Sequence, residues 1–496
     1  MARVDAPFPP GAYDVVVVGS GPGGLQTSYA LSRLGVQHAV LSADEGPGGM
    51  FRKWPMFQRL ISSSKLDAPP PRETREYEWY DQNSLIAEER ELRALVPAEM
   101  GRQFFPTRAE MEAGLRAFAE RARLRVRYGC AWEATRREDG ELVLRTSDGD
   151  YRCRAALFAL GVTEPWKSAI PGIEHVPHYA DAGEPKRYEG RRVFVIGKRN
   201  SGFEIADALL PWASQVVLAS PRPVQSAVLA SASVSARYFQ PLEDFSRGGG
   251  TVVLDASVER VEPTPAGGFR VSVTGTTRPG AMTLEADAAI AATGFRAPLR
   301  DLPDVGVATV DQGRIPALTP FWESVGAPGV FFAGNASQGA PGLRKHGMGS
   351  TSTAVRGFRY NARILARHLA ETRLGFTVER PRLRLEEVAP LLAGELARAP
   401  ELWSQKGYLA HAVTLDRNAG IRDEGIVPLA HFVGEQHPDA AAVAVEIDPA
   451  GTIYPVVYVR RDGRLYEHEL DPHPLNAFDG AEYRRALETL LGLRGA

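Results

Sequence analysis

The chain has almost no cysteine. Cys130 and Cys153 are the only two among 496 residues, and no C-x-x-C pair is present. A dithiol disulfide reductase relays electrons through two close thiols, so this spacing argues against one, and it excludes a cysteine-rich metal site. Both read as ordinary, partly buried thiols. Bulk charge is also missing. The formal net charge is -2, so there is no basic field to attract nucleic acid or an anionic membrane surface. No apolar run approaches the ~20 residues that span a bilayer. Met1 to Gly11 is proline-rich and lacks the apolar core of a signal peptide, which leads to the expectation of a cytoplasmic protein. Nothing resembles a Ser-His-Asp set or an H-E-x-x-H helix, and no metal is expected.

What the chain does have is glycine in two particular places. Val15 to Val18 is a continuous apolar strand that runs into Gly19-Ser20-Gly21-Pro22-Gly23-Gly24. Val193 to Ile196 is another, running into Gly197-Lys198-Arg199-Asn200-Ser201-Gly202. In the first turn Gly19 permits the tight bend, Gly21 lets backbone approach a pyrophosphate, and Gly24 lets helix pack on strand. The N–H groups at the helix start then face the anion. One such turn implies a dinucleotide; two suggest FAD and a nicotinamide cofactor held at once.

Each turn departs from the ideal pattern. The acid that usually holds the adenosine ribose at the end of the second strand is replaced by Ser42. Ser42 can bond more weakly, or Asp44 or Glu45 can reach back; for those two acids a solvated loop is the competing reading. In the second turn Arg199 stands where the middle glycine belongs. Three readings stay open. Lys198 and Arg199 bind an NADPH phosphate, or the turn is a scaffold that binds nicotinamide poorly, or Arg199 points away to a surface carboxylate. Arg222, just past the following strand, is placed to pair with a 2′-phosphate and favours NADP over NAD.

The fold class expected is α/β, with two Rossmann-like dinucleotide-binding domains and a small α+β C-terminal domain. The FAD domain is assigned to 12–184 and 292–372, with the NAD(P) domain at 185–291 inserted into it. Within the FAD domain, helices are expected at Leu25–Leu34, Arg108–Ala122 and Ser350–Leu369, and a strand at Pro328–Gly334. Met282–Ala292 reads as one strand ending at Thr293-Gly294, and Gly161 follows the strand Tyr151–Leu160. Gly334-Asn335 opens a glycine-rich loop that allows backbone to approach a flat ring and ribityl chain. The C-terminal region 373–496 should carry a charged, largely helical stretch at Arg382–Leu402. A three-stranded meander over Ala441–Ile447, Thr452–Arg460 and Arg464–Leu470 and a closing helix follow. It is expected to cover the active site or to make a homodimer contact.

These pieces, over about residues 12 to 370, resemble the class B flavoprotein monooxygenases, the flavin-containing monooxygenases and N-hydroxylases. They are also similar to the FAD-dependent oxidoreductase domain protein of the endoplasmic reticulum. Gly48-Gly49-Met50-Phe51 resembles a Gly-Gly-x-Trp segment that packs near the isoalloxazine. Leu60 to Lys65 resembles an Ile-Asn-Thr-Ser-Lys segment lining the flavin. Phe105-Pro106-Thr107 resembles a Tyr/Phe-Pro-Ser step, and Gly357-Phe358-Arg359-Tyr360 is like the endoplasmic reticulum relative.

The resemblance implies that NADPH reduces FAD by hydride transfer. Reduced flavin then captures dioxygen as a C4a-(hydro)peroxide that oxygenates a small organic substrate. Ser62 falls where the family's peroxide-supporting asparagine lies. Lys65 is placed to bond a flavin edge or to hold a hypohalous acid as flavin halogenases do, with a helix-start surface lysine as the alternative. His346, in Arg344-Lys345-His346, sits in a loop expected to border the flavin, against the reading of a solvated basic loop. The F-x-G-x-x-x-H-x-x-x-Y/W fingerprint is not intact; Ile170 to Tyr179 is the matching region, and His178 is its remnant histidine or a capping or surface one. With Ser62 and Arg199, this leaves a dehydrogenase or reductase without oxygen transfer, or a non-enzymatic flavin-binding partner protein, as competing readings.

Overall fold

A computed structural model of the protein describes residues 7–48, 51, 60, 67–68, 70–93, 106–223, 250–347, 349–416, 420–434 and 438–493. The chain divides into two compact units. One comprises Met1–Gly49, Ser62–Gly161 and Pro298–Ala496, the other Met50–Ile61 and Val162–Ala297. The fold is α/β, with two Rossmann-like sheets.

In the first unit, strand Gly11–Val18 lies between His38–Ser42 and Gly149–Phe158, parallel to both. Val15 to Val18 are at most 5% exposed, as a strand covered on both faces requires. Strand Gly149–Phe158 serves two further partners. Its first half pairs antiparallel with Glu141–Thr146, and its second half pairs parallel with Val330–Phe332. The helix Pro22–Arg33 returns the chain from the first strand to the second.

The long helix of this unit runs over Val355–Leu374, not Ser350–Leu369. Ser350 instead caps a separate short turn, Thr351–Thr353, through its hydroxyl. The helix continues to Gly375, whose left-handed conformation (φ +75) ends it.

The C-terminal residues of this unit form a six-stranded antiparallel sheet. Its order is Arg382–Leu383, Gly420–Pro428, Leu409–Asp416, Ala440–Ile447, Ile453–Arg461, Arg464–Glu469. The last three strands are the expected meander. Leu409–Asp416 and Gly420–Pro428 extend it beyond the sequence reading.

The second unit carries the other six-stranded sheet, in the order Ala281–Ala286, Phe269–Gly275, Gly250–Pro263, Gln215–Ser220, Arg192–Ile196, Ala288–Ala291. The last four run parallel to one another. The single strand expected over Met282–Ala292 is therefore two. At Asp287 the chain leaves an antiparallel hairpin and joins the parallel set, and the Asp287 carboxylate fixes the switch by accepting from Arg192 N (2.9 Å) and Arg192 Nη2 (2.8 Å).

Candidate functional site

The two glycine turns are built on one plan. Gly19 N donates to Leu41 O at 2.7 Å and Gly197 N to Ala219 O at 2.8 Å. Ala159 N donates to Val18 O, and Ala292 N to Ile196 O. Gly19 (φ +113) and Gly197 (φ +121) occupy conformations that side chains avoid. A Cβ on Gly19 would lie 2.5 Å from Ala159 O, and one on Gly197 would overlap Ala292 O. A Cβ on Gly24 would overlap Gly19 O; one on Gly202 would overlap Gly197 O. The first and last glycines of both turns are thus demanded by backbone packing.

The middle position is different. Gly21 is the N-cap of its helix (φ -72, ψ -177), and Arg199 is the N-cap of helix Asn200–Leu209 (φ -98, ψ -162). Both are ordinary extended backbone. A Cβ on Gly21 would meet nothing within 4 Å. The protein itself does not require glycine there, so Arg199 does no damage to the second turn. Open space at Gly21, beside a helix N-terminus with no side-chain cap, is what a bound pyrophosphate needs.

Some of the other residues assigned to the FAD side lie near this turn or at strand ends of the same sheet. Gly23 approaches Gly334 so closely that a Cβ would lie 2.5 Å from its Cα. Gly334 (φ +66) and Asn335 follow strand Val330–Phe332, and Gly161 (φ +70) follows Gly149–Phe158. Ser42 ends strand His38–Ser42. All lie at the carboxyl ends of parallel strands of one sheet, where this architecture binds nucleotides. Ser42 is buried, and its Oγ accepts from Ser20 Oγ at 2.9 Å and from Asp44 N at 3.3 Å, leaving its own proton to donate. Glu45 is exposed, Pro106 is buried and Phe51 is 5% exposed. Thr107 is occupied locally. Its Oγ1 accepts from Glu110 N (3.2 Å) while Glu110 Oε2 accepts from Thr107 N (2.7 Å), a capping box that starts helix Arg108–Arg121. Gly49, Met50, Ser62 and Lys65 lie outside the described residues.

In the second turn Lys198 corrects one expectation. Its side chain is 1% exposed, and its ammonium is bonded to the Asp255 carboxylate and, at 2.8 Å, to Leu254 O. That charge is buried and paired inside the unit. Asp255 is held below its usual range by the same ammonium. Arg199 is exposed, as is Arg222, and neither has an ion pair among the described residues. Ser201 is partly buried in the first turn of the helix, and the buried Asn200 Oδ1 beside it lacks a hydrogen-bond partner among the described residues.

Thr293 Oγ1 donates to Trp166 O at 2.6 Å, and Gly294 (φ +101) offers its carbonyl to Trp166 N and to His178 Nε2, at 3.0 and 2.8 Å. His178 is 1% exposed, and its Nδ1 accepts from Ala180 N. It is a capping histidine, buried rather than at the surface, and burial keeps it neutral.

His346 is exposed, and its Nε2 lies 2.8 Å from Tyr454 OH. The whole basic loop is seated on the C-terminal sheet. Leu343 N donates to Gly407 O, Arg344 Nε to Tyr408 OH at 2.9 Å, and Lys345 pairs with Glu467. The loop is therefore pinned, not freely solvated. In the Gly357–Tyr360 segment, Arg359 is fully buried, donating to Ser84 O (3.0 Å) and Glu78 O (2.9 Å), while Tyr360 OH donates to Glu78 Oε2 (3.0 Å). The motif ties residues 78–84 to the long helix.

Residues 16–334 match the pyridine nucleotide-disulphide oxidoreductase family. The chain belongs to that family. FAD-dependent oxidoreductase domain-containing protein 2 of Danio rerio is 29% identical over 223 residues, covering 44% of this chain and 32% of that protein. The matched stretch is thus about a third of that relative's length. A ferredoxin--NADP reductase of Salinispora tropica is 27% identical over 353 residues, covering 69% of this chain and 92% of that one. Among solved structures, a flavin-containing monooxygenase from Stenotrophomonas maltophilia superposes with a TM-score of 0.54 at 22% identity, over 73% of this chain and 98% of that one. Bacillithiol disulfide reductase from Staphylococcus aureus gives 0.55 at 16%, over 73% and 99%. At these identities the two structures speak for the fold alone.

As a member of this family the protein is a flavin-dependent oxidoreductase. It has no dithiol. Cys130 and Cys153 are both free and 1% exposed, more deeply buried than the sequence suggested, and burial pushes the Cys153 thiol up to about 12. Sequence reasoning missed Asp255, Trp166 and a buried amide at Gln405. Each acts across a long sequence separation, and no local pattern marks it.

Proposed function

We propose that this protein is an NADPH-dependent FAD monooxygenase acting on a small organic substrate. The observation that carries the reading is the pairing of two dinucleotide turns on one plan with two inert thiols. Electrons that enter from a nicotinamide have no thiol relay in the chain, so they leave directly to an external acceptor. The balance is NADPH, a proton, dioxygen and substrate giving NADP+, water and oxygenated substrate. FAD, when bound, supplies the two-electron chemistry and the activation of dioxygen.

In this reading the chain's own residues hold and orient. Gly21 to Gly24 and the helix start take the pyrophosphate, Ser42 donates to the ribose, and Gly334-Asn335 pass close under the flavin side. Arg199 and Arg222 are the exposed cations left for the nicotinamide nucleotide, Lys198 being already neutralised. Ser62 is assigned as a single hydrogen-bond donor, and Lys65 as a donor to a flavin edge. The pinned His346 loop lies between Gly334 and the long helix.

The test is NADPH oxidation and oxygen uptake over a panel of amines, sulfides and ketones, with products read by mass spectrometry. Substrate-accelerated turnover with gain of one oxygen atom supports the proposal. Unaccelerated NADPH oxidation with no oxygenated product sinks it, and bromide-dependent product would assign a halogenase instead. A second reading, a reductase without oxygen transfer, is favoured by the ferredoxin--NADP reductase likeness along most of that relative's length. Anaerobic NADPH oxidation coupled to a ferredoxin acceptor is its signature.

A further inference from the structure

We propose that the C-terminal domain positions the flavin-binding turn through Gln405. Neither the family match, which ends at residue 334, nor the solved structures, which cover 73% of the chain, span the whole protein. The six-stranded sheet and its helices are thus more than the family fold requires. Gln405 follows the short helix Pro400–Ser404 of that region and is 1% exposed. Its amide is fully used. Nε2 donates to Asn361 Oδ1 at 2.8 Å and to Ser352 Oγ at 2.9 Å, and Oε1 lies 3.0 Å from Thr351 Oγ1 and 3.2 Å from Ser350 Oγ.

Asn361, on the long helix, carries the connection onward. Its Nδ2 donates to Ser352 Oγ at 2.8 Å and to Ser337 Oγ at 3.3 Å. Ser337 Oγ donates to Gly334 O at 2.7 Å. Gly334 is the residue that meets Gly23 in the first dinucleotide turn. A continuous buried path of side-chain hydrogen bonds thus runs from the C-terminal domain to the backbone on which FAD is read to sit. Such a network fixes geometry when every member is satisfied, and breaks expensively when one is not.

The proposal rests on the FAD assignment of the first turn, not on oxygen transfer. Gln405→Glu keeps the shape and the acceptor Oε1 but removes both donors, leaving Asn361 Oδ1 facing an acceptor. Gln405→Leu removes the amide altogether. Both should weaken FAD binding by about tenfold, read by flavin fluorescence on titrating the apoprotein, and should shift the bound flavin's visible spectrum. Ser337→Ala should do the same, and Ser337→Ala with Gln405→Leu should cost less than the sum of the two.

Val457→Ala, a buried change in the same C-terminal sheet but outside the path, should lower the melting temperature and leave FAD affinity unchanged. If the Gln405 variants bind FAD as wild type does, or if Val457→Ala weakens FAD equally, or if the double variant is simply additive, the positioning role is overturned. A wild-type protein that takes up no FAD would overturn the cofactor assignment instead.

Discussion

Arg199→Gly is the perturbation that reads the second turn most directly. The structure makes it a clean one. Arg199 is exposed, is in extended N-cap geometry and makes no ion pair among the described residues, so its removal costs the fold little. Glycine is also an acceptable N-cap, within a few tenths of a kcal/mol of a good one. A charge-assisted hydrogen bond to a phosphate contributes ~1.5–3 kcal/mol. An exposed site sits at the low end, so the expected loss is about 1.5 kcal/mol, roughly tenfold in Kd. Arg199 occupies the position equivalent to Gly21, where the pyrophosphate is read to lie, so NADPH and NADH should weaken together. Arg222→Ala should weaken NADPH alone. The assay is the rate of flavin reduction against NADPH and NADH concentration by rapid mixing, with a thermal melt to confirm folding. Unchanged or tighter nicotinamide binding in Arg199→Gly would refute the phosphate-ligand assignment and make the turn an obstructed one. Gly21→Ala is the mirror experiment. A Cβ there meets no atom of the described residues within 4 Å, so stability should hold to within about 1 kcal/mol while FAD affinity falls.

Three other outcomes follow from the same geometry. Lys198→Met should destabilise the protein by about 2 kcal/mol in a denaturant melt, because Asp255 loses its buried partner; adding Asp255→Leu should recover most of that, and selective loss of NADPH binding at unchanged stability would return Lys198 to a phosphate role. Gly24→Ala should abolish FAD retention on a desalting column, since the new methyl overlaps Gly19 O, and full retention would show that the helix can move away. His411 lies 3.1 Å from Glu395 and 2.7 Å from Asp423, and these carboxylates raise it to about 9 against the cost of burial. Its folded pKa lies above the unfolded one near 6.5, so its contribution, on the order of 3 kcal/mol, is complete below about pH 6.5 and is lost as pH rises through 9. The melting temperature should therefore fall between pH 6.5 and 9.5, and His411→Gln should flatten that fall; an unchanged slope would assign it to other groups.

How much of this was legible in the sequence depended on distance along the chain. Each glycine turn is a strand, a bend and a helix start within about fifteen residues, and its residues announce it. Ser42 could be placed because it ends the next strand of the same unit. The buried ion pair of Lys198 was not legible because its partner, Asp255, lies on a strand two connections later, and a lysine beside a glycine turn looks like a phosphate ligand until that strand is in place. Thr107 and His178 resembled site residues by motif and are found capping helices, Arg108–Arg121 and the short turn Tyr179–Asp181, a local duty the motif does not distinguish. Gln405, Asn361 and Ser337 are common polar residues in unpatterned positions. Only the packed structure shows that together they reach Gly334. In the C-terminal region, apolar runs punctuated by turns at Pro449-Ala450-Gly451 and Arg461-Asp462-Gly463 revealed the three-stranded meander, whereas Gly420–Pro428, with its acidic and basic residues, carries no such signal.

The two turns, set side by side, also change what a G-x-G-x-x-G pattern says. Its first and last glycines avoid collisions with the protein's own carbonyl groups, at Ala159 and Gly19 in one turn and at Ala292 and Gly197 in the other. They report the fold, and would be required whether or not a nucleotide ever bound. The middle glycine collides with nothing, so it reports only the ligand. Replacing it therefore leaves the fold intact and alters recognition alone. In this chain the same backbone position is filled once by hydrogen and once by a guanidinium arm, which makes the two turns chemically different while their scaffolds stay alike. A dinucleotide that needs close backbone approach suits the Gly21 turn. One that tolerates a longer reach and gains from a cation suits the Arg199 turn. Under the proposed function that difference, more than the number of glycines, separates a flavin cradle from a nicotinamide site.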